Sequence, residues 1–137
     1  MWILEKRGPS YELARLYLRL GANEGTQGNY EQERLYYHKA LSISSTVGSD
    51  QGSINALAHL GNFYADYDES SSDIGKYNPY VNYDSATRYY DLAEQLAVKI
   101  SDKEGMAELT GAKEKLSMMR GKGMNHSRMN LTALNVA

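Results

Sequence analysis

Apolar side chains recur every three or four residues along most of the chain, which is the spacing of one buried face on an α-helix. The first such stretch, residues 9–20, places on one face Leu13, Leu16, Tyr17 and Leu20. Pro9 suits the first turn of this helix, and Gly21 suits a left-handed cap at its end. Four further stretches with helical spacing cover residues 30–45, 53–67, 83–100 and 102–120.

Segments rich in glycine and polar residues separate these stretches. Residues 22–28 (ANEGTQG) and 46–52 (TVGSDQG) predict connections between helices. Residues 66–82 contain a serine run and a proline, and they predict a longer surface loop. Because no segment alternates apolar and polar residues as a strand would, we predict an all-α protein of five or six helices.

Composition narrows the classes of protein. The chain has 137 residues, 42% of them hydrophobic and 23% charged, so it predicts a single globular domain over residues 1–137. It has no cysteine and a net charge of −2, which excludes disulfides and gives no overall attraction to nucleic acid or anionic membranes. The first eight residues, MWILEKRG, contain too short an apolar run for a signal peptide or a membrane span. We expect a cytoplasmic protein without a membrane partner.

One segment of the sequence repeats. NYEQERLYYHKA at residues 29–40 and NYDSATRYYDLA at residues 82–93 share an asparagine, three tyrosines and an alanine at identical spacing, 53 residues apart. Repeats of this length are typical of stacked supersecondary units that cannot bury their apolar faces alone. Alanines 40 and 93 would allow close helix contact, and the tyrosines would fill the space beside them. The repeat therefore predicts stacked helical hairpins.

The segment LAHLGNFY resembles the first-helix signature of the tetratricopeptide repeat family, and NYDSATRYYDLA resembles its second-helix signature. The matching positions are Leu57, Leu60, Gly61, Tyr64, Tyr83, Ala86, Tyr90 and Ala93. Looser matches are Leu13, Ala14, Tyr17, Tyr30, Tyr37 and Ala40 in an earlier repeat, and Leu109, Ala112 and Leu116 in a later one, with Lys113 at the small-residue position. The resemblance spans about residues 10–120 and implies a short stack of antiparallel helical hairpins.

The spacing within the resemblance indicates an insertion. In this family the small residues of the two helices lie twelve positions apart, whereas Gly61 and Ala86 lie 25 apart. Removing the additional thirteen residues reduces the 53-residue spacing to 40, the period of longer-linked members of the family. The expected division is an N-terminal lead at 1–8, a first repeat at 9–46, a second at 51–101 with an inserted loop at 66–82, half a repeat at 102–121 and a tail at 122–137 that forms a capping helix.

The resemblance also implies a concave groove, lined by the first helix of each repeat, that holds a peptide or a partner helix. The positions carried over are Tyr11, Arg15, Arg19, Asn55, Ala58, Asn62, Thr110 and Glu114. Asn62 matches an asparagine that binds a peptide backbone, but Ala58 replaces the lysine that members binding chaperone C-termini require. Arg15 and Arg19 lie one helical turn apart and suit an acidic ligand.

The inserted loop has two interpretations. Its tyrosines, which include Tyr67, Tyr77 and Tyr80, supply large contact area at low entropic cost and suit a partner-binding surface. Alternatively, they fold back on the helices of the same chain.

Signals for catalysis are weak. The three histidines, His38, His59 and His126, are scattered, and the chain has no glycine-rich phosphate loop or nucleophile elbow. We therefore predict neither an enzyme nor a cofactor or metal site. The lysines and arginines near the C-terminus lack interleaved aromatic residues, which argues against a nucleic-acid partner.

Two functions remain as hypotheses. The first is an adaptor that binds a peptide or helix of another protein in the groove. The second is a structural subunit of a larger assembly or homo-oligomer, because the last helix would present an apolar face with no following helix. That face comprises Met106, Leu109, Ala112, Leu116 and Met119. Its expected cover is either a partner or the tail residues Met129, Leu131 and Leu134.

Overall fold

The computed structural model describes the backbone of residues 8–65 and 78–127, and the side chains of these ranges as far as residue 118. The tail cap predicted from Met129, Leu131 and Leu134 lies outside these residues, as does the side chain of Met119. The described backbone is helical and contains no strand, which confirms the all-α class. The helices are α1 (Tyr11–Thr26), α2 (Tyr30–Thr46), α3 (Asp50–Ala65), α4 (Tyr83–Lys99) and α5 (Lys103–Ser127).

Four of these helices begin at a polar side chain that accepts a hydrogen bond from a backbone N–H of the first turn. The caps are Ser10, Ser49, Asn82 and Asp102, at 2.9–3.1 Å. Such caps satisfy donors that the helix itself leaves unpaired. Helix α2 differs, because the Asn29 side chain donates to Glu24 instead of capping.

The first helix is longer than the pattern predicted. It continues through Gly21 and Gly25 and ends at Thr26, so the predicted cap at Gly21 and the connection at 22–28 are wrong. A Cβ added to Gly21 would lie 2.6 Å from Cε1 of Tyr37 on α2. Gly21 is therefore a point of close helix contact, and only residues 27–29 connect α1 to α2.

Two other boundaries also differ from the prediction. Helix α3 begins at Asp50, so Gly52 lies within its first turn instead of in the connection. Helix α5 continues to Ser127, past the predicted end at residue 120 and into the range assigned to the tail. In each case a glycine was interpreted as a helix breaker, although the surrounding residues sustain the helix.

Each helix packs against the next one in the chain, and α1 also contacts α3. One core cluster joins α1 and α2 to a face of α3 that includes Leu60 and Phe63. A second cluster joins another face of α3, including Ile54 and Leu57, to α4 and α5. Helix α3 thus contributes to both clusters and lies at the centre of the stack.

The same close contact occurs in both hairpins and defines their register. Gly61 of α3 faces the ring of Tyr90, where an added Cβ would lie 2.5 Å from Cε1, just as Gly21 faces Tyr37. The two glycines are 40 residues apart, and the two tyrosines are 53 apart. The predicted match of the first repeat at Leu13, Ala14 and Tyr17 is therefore seven residues too early, because it treated Gly21 as the end of the helix.

The connections before α3 and α5 are equivalent at the 53-residue spacing. Gly48 and Ser101 both have positive φ, 70° and 56°, and Ser49 and Asp102 follow them as helix caps. If this 53-residue alignment is extended along the helices, Glu114 of α5 is equivalent to Gly61 of α3. The predicted register of the third repeat, with Lys113 at the small-residue position, is thus one residue too early.

The apolar face of α5 turns inward. Leu109 and Leu116 are 4% and 2% exposed, and Met106 and Ala112 pack against the same cluster with α3 and α4. The prediction that these residues await a cover is wrong for the described part of the face. The opposite side of α5 is exposed and largely polar or small, with Ala107, Thr110, Gly111, Glu114 and Met118.

Candidate peptide-binding groove

A groove of about 380 Å³ runs between α3 and α5, and Tyr90 of α4 also lines it. Ile54 and Leu109 contribute apolar surface but are almost fully buried, so they act as its floor. Ala58 of α3 and Ala112 of α5 also line the groove, and their short side chains leave it open. The result is a concave surface with apolar depth and polar edges.

Asparagines form the α3 edge of the groove. The Oδ1 atom of Asn62 accepts a hydrogen bond from the Tyr90 hydroxyl at 2.5 Å. This bond orients the amide, so its Nδ2 group is the one that can donate to a ligand. About two turns before Asn62, the Oδ1 atom of Asn55 accepts a hydrogen bond from Nε2 of Gln51 at 3.2 Å. Both asparagines line the groove.

Carboxylates form the α5 edge. Asp102, Glu104 and Glu108 line the groove, and none of the described residues that line it is a lysine or arginine. Asp102 uses Oδ1 to cap α5 through the backbone N–H of Gly105, at 2.9 Å. Glu104 and Glu108 are exposed and lie one helical turn apart. The groove is consequently acidic along this side.

Lys113 of α5 does not line the groove and instead binds acidic residues of α4. Lys113 binds Asp91 at 2.6 Å and Glu94 at 3.6 Å, both on α4. The hydrogen bond from Lys113 to Asp91 raises the pKa of the lysine above its ordinary value. Helix α4 therefore has a cation for its own acidic pair, whereas Glu104 and Glu108 have no ion pair with a described residue.

The predicted groove residues divide into two sets. Asn55, Ala58 and Asn62 line the groove together, as the resemblance implied. Thr110 and Glu114 do not line it and lie on the exposed outer side of α5. The reason is the register of the third repeat, since these two residues correspond to α3 positions that face the helix after α3, and no described helix follows α5.

The three predicted residues of α1 lie apart from this groove. Arg15 and Arg19 are exposed and line a shallow depression of about 220 Å³ together with Glu12 and Leu16. The guanidinium of Arg15 lies 5.8 Å from the ring of Tyr11. In the 40-residue register, Arg15 is equivalent to Asn55, and Arg19 is equivalent to His59. Tyr11 is likewise equivalent to Gln51, so Tyr11 and Arg15 both match residues that line the α3–α5 groove, whereas the equivalent of Arg19 does not line it.

Of the loop tyrosines, only Tyr80 lies within the described residues, and it contacts the helices of its own chain. The ring centroids of Tyr80 and Phe63 are 5.8 Å apart, and the guanidinium of Arg34 lies 4.8 Å from the centroid of the Tyr80 ring. The Tyr80 hydroxyl donates a hydrogen bond to Glu31 of α2. These contacts correspond to the second interpretation of the loop, with Tyr80 folded back. Tyr67 and Tyr77 lie outside the described residues.

The Tyr80 contact changes the acidity of both partners. The hydroxyl of Tyr80 and then the guanidinium of Arg34 stabilise the charged carboxylate, so the pKa of Glu31 falls below its ordinary value. The same hydrogen bond raises the pKa of Tyr80, because the bond requires the protonated hydroxyl. This cluster joins α2 to the segment before α4.

Sequence reasoning missed Glu104, Glu108 and Tyr90 as groove residues. A signal for Glu108 was present, because aligning the linkers VGSDQG and ISDKEG places it at the position of Asn55. Tyr90 was recognised as a packing residue, and its hydroxyl reaches the groove only through the bond to Asn62.

Comparison with protein-family models, with curated proteins and with solved structures gave no match. Among the described helices, none is both long and apolar enough to cross a bilayer. The described residues also contain no group of three or more histidine, aspartate or glutamate side chains placed to hold a metal ion.

Proposed function

We propose that the protein is a tetratricopeptide-like interaction module that binds a peptide segment of another protein in the α3–α5 groove. The observation that carries this proposal is the combination of an apolar floor with oriented polar groups on one edge. Binding sites of this kind bury apolar side chains and use a few placed polar groups to fix orientation. Asn62, held by Tyr90, is such a group.

The shape of the groove supports an extended segment. The groove is open along the helices, and the side chains of Ala58 and Ala112 that line it are short, so a main chain can approach the helix surfaces. Amide side chains can bind a peptide backbone without reading its sequence, because every residue supplies the same C=O and most supply the same N–H. Specificity then depends on the side chains at the edges.

The alternative of a structural subunit has lost the observation that motivated it. Its premise was an uncovered apolar face on α5, but Leu109 and Leu116 of that face are buried within the chain. The outer side of α5 is largely polar or small, with Thr110 and Glu114, and Met118 is its exposed large apolar side chain. The described residues therefore favour the interaction module as the proposal.

A displayed library of random 12-residue peptides tests the proposal. Peptides selected on the wild-type protein should lose binding to Ala58→Trp, because the indole fills the groove. They should bind Ala107→Trp unchanged, because Ala107 is exposed on the outer side of α5 and does not line the groove. Circular dichroism would establish that both variants are helical.

A second measurement does not depend on the folding of a variant. Titration of a selected peptide into the isotopically labelled wild-type protein should shift the amide signals of Asn55, Ala58 and Ala112. Selected peptides that bind both tryptophan variants equally, and that shift signals elsewhere, would contradict the groove as the site.

A further inference from the structure

We infer that the segment bound in the α3–α5 groove is basic, with lysine or arginine side chains placed against Glu104 and Glu108. This inference rests on the proposed function and specifies the chemistry of the partner. It reverses the expectation of an acidic ligand, which came from Arg15 and Arg19. Those arginines line a separate depression on α1.

The charges of the groove carry the inference. Three carboxylates, Asp102, Glu104 and Glu108, line it, and no cationic side chain is among its described lining residues. Asp102 caps α5, but a capping role does not apply to Glu108, which lies beyond the first turn. Carboxylates beside a low-dielectric floor produce a negative potential that is focused within the concave surface.

Glu104 and Glu108 also repel each other. Like charges four residues apart on a helix are destabilising, so the interaction between the two glutamates does not stabilise α5, although Glu104 in the first turn is favoured by the helix dipole. On α4, the acidic residues Asp91 and Glu94 are bridged by Lys113 of the same chain. The groove pair has no such bridge among the described residues, and a cationic side chain of a partner would supply it.

The asparagine edge opposite is compatible with the same ligand. Asn55 and Asn62 are uncharged, so they neither repel a cation nor compete for the carboxylates. A peptide that lies between the two edges can donate side-chain N–H groups to α5 while its backbone faces α3. Charge-assisted hydrogen bonds of this type are stronger than neutral ones.

The test uses the peptides selected from the random 12-residue library. The expected result is that peptides dependent on the groove, defined by loss of binding to Ala58→Trp, are enriched in lysine and arginine. Substituting Glu104→Gln and Glu108→Gln together should weaken their binding about five- to tenfold, since each exposed pair contributes modestly. Their affinity for the wild-type protein should also fall as salt is added.

Glu114→Gln is the control, because it makes the same kind of substitution on the same helix outside the groove, although it removes one negative charge where the double variant removes two. It should leave the affinity of the peptides unchanged. Groove-dependent peptides that are neutral or acidic, or that bind the double glutamine variant as tightly as the wild type, would overturn the inference and leave the proposed function intact. Peptides that do not depend on the groove would overturn both.

Discussion

The two helical hairpins, α1–α2 and α3–α4, share a packing contact but differ in the hydrogen bond beside it. In both, a tyrosine ring lies against a glycine of the preceding helix, Tyr37 on Gly21 and Tyr90 on Gly61. The hydroxyl of Tyr37 donates to Glu33 of its own helix at 2.8 Å, whereas that of Tyr90 crosses to Asn62 at 2.5 Å. The two hairpins therefore share the shape of the contact, while the polar partner in the second hairpin, Asn62, lines the groove.

The hairpins differ even more in their connections. Three residues join α1 to α2, with Gly28 at a φ of 82°. Between α3 and α4, the chain returns to the end of α3, where Asn78 Nδ2 donates to Phe63 O at 2.8 Å and Asn82 N donates to Tyr64 O at 2.9 Å. Because the described ends of the insertion meet, the additional length does not disturb the packing of the pair.

The largest expected effect comes from the shared glycine contact. Gly61→Val and Gly21→Val should each lower the free energy of unfolding by about 2–3 kcal/mol, because the new side chain overlaps a buried tyrosine ring. Urea denaturation followed by circular dichroism measures the loss. If Gly21→Val is tolerated while Gly61→Val is not, the two hairpins do not share a register in which Gly21 is equivalent to Gly61.

Gly111→Ala is the control for these substitutions. Gly111 lies within α5, and an added Cβ meets no atom within 4 Å. Alanine favours the helix over glycine, so this variant should gain about 0.5–1 kcal/mol. A gain here and a loss at Gly21 would show that contact, and not helix propensity, determines the effect.

The sequence was sufficient for the fold class but not for the ends of the helices. Apolar spacing identified all five described helices, because a face buried over four or more turns leaves a strong pattern. Gly21 and Gly52 were interpreted as breaks, since a glycine in a close helix contact has the same local sequence as one in a turn. Only the tyrosine or serine packed against it, 8 to 16 residues away, distinguishes the two.

The groove was predictable only where the register was correct. Asn55, Ala58 and Asn62 were found because the second repeat matches its signature closely, and Gly61 fixes its position. Thr110 and Glu114 were misplaced because α5 has no small residue at the corresponding position, so a shift of one residue could not be detected. A shift of one residue rotates a helix face by about 100°, which is enough to move a side chain out of a groove.

The second-largest expected change in stability concerns two equivalent positions, Ser44 in α2 and Ala97 in α4. The hydroxyl of Ser44 is fully buried and has no hydrogen-bond partner among the described residues, while the equivalent Ala97 is an apolar residue with no exposure. Ser44→Ala should raise the free energy of unfolding by about 1 kcal/mol, because it removes an unsatisfied polar group. Ala97→Ser should lower it by about 1–2 kcal/mol.

Thermal and urea denaturation of both single variants would measure these changes. The two positions are matched because each carbonyl accepts the same turn contact, from Ser49 N at 2.9 Å and from Asp102 N at 2.8 Å. A destabilised Ser44→Ala variant would indicate that the hydroxyl is satisfied by a group outside the described residues or by water.

A smaller effect compares the two connections with positive φ. Ser101→Gly should stabilise the protein by about 0.5–1 kcal/mol, because a residue with a Cβ is strained at a φ of 56°. Gly48→Ser should cost a similar amount at a φ of 70°. The same denaturation measurement applies, and effects of equal sign in the two variants would disprove the structural equivalence of the two connections.

The smallest effect concerns the contact between α2 and Tyr80, which has no counterpart in the first hairpin. The Tyr80 hydroxyl and Arg34 hold the pKa of Glu31 below its ordinary value of 4.5. The folded state therefore binds the Glu31 proton less readily than the unfolded state does, and the resulting stabilisation is present above about pH 4.5 and is lost as the pH falls through the lowered pKa. Melting temperatures measured from pH 7 to pH 3 should fall less steeply on the acidic side for Tyr80→Phe than for the wild type. Tyr11→Phe, which changes a tyrosine on α1, should follow the wild-type profile. Parallel profiles for Tyr80→Phe and the wild type would mean that the hydroxyl does not shift the pKa of Glu31.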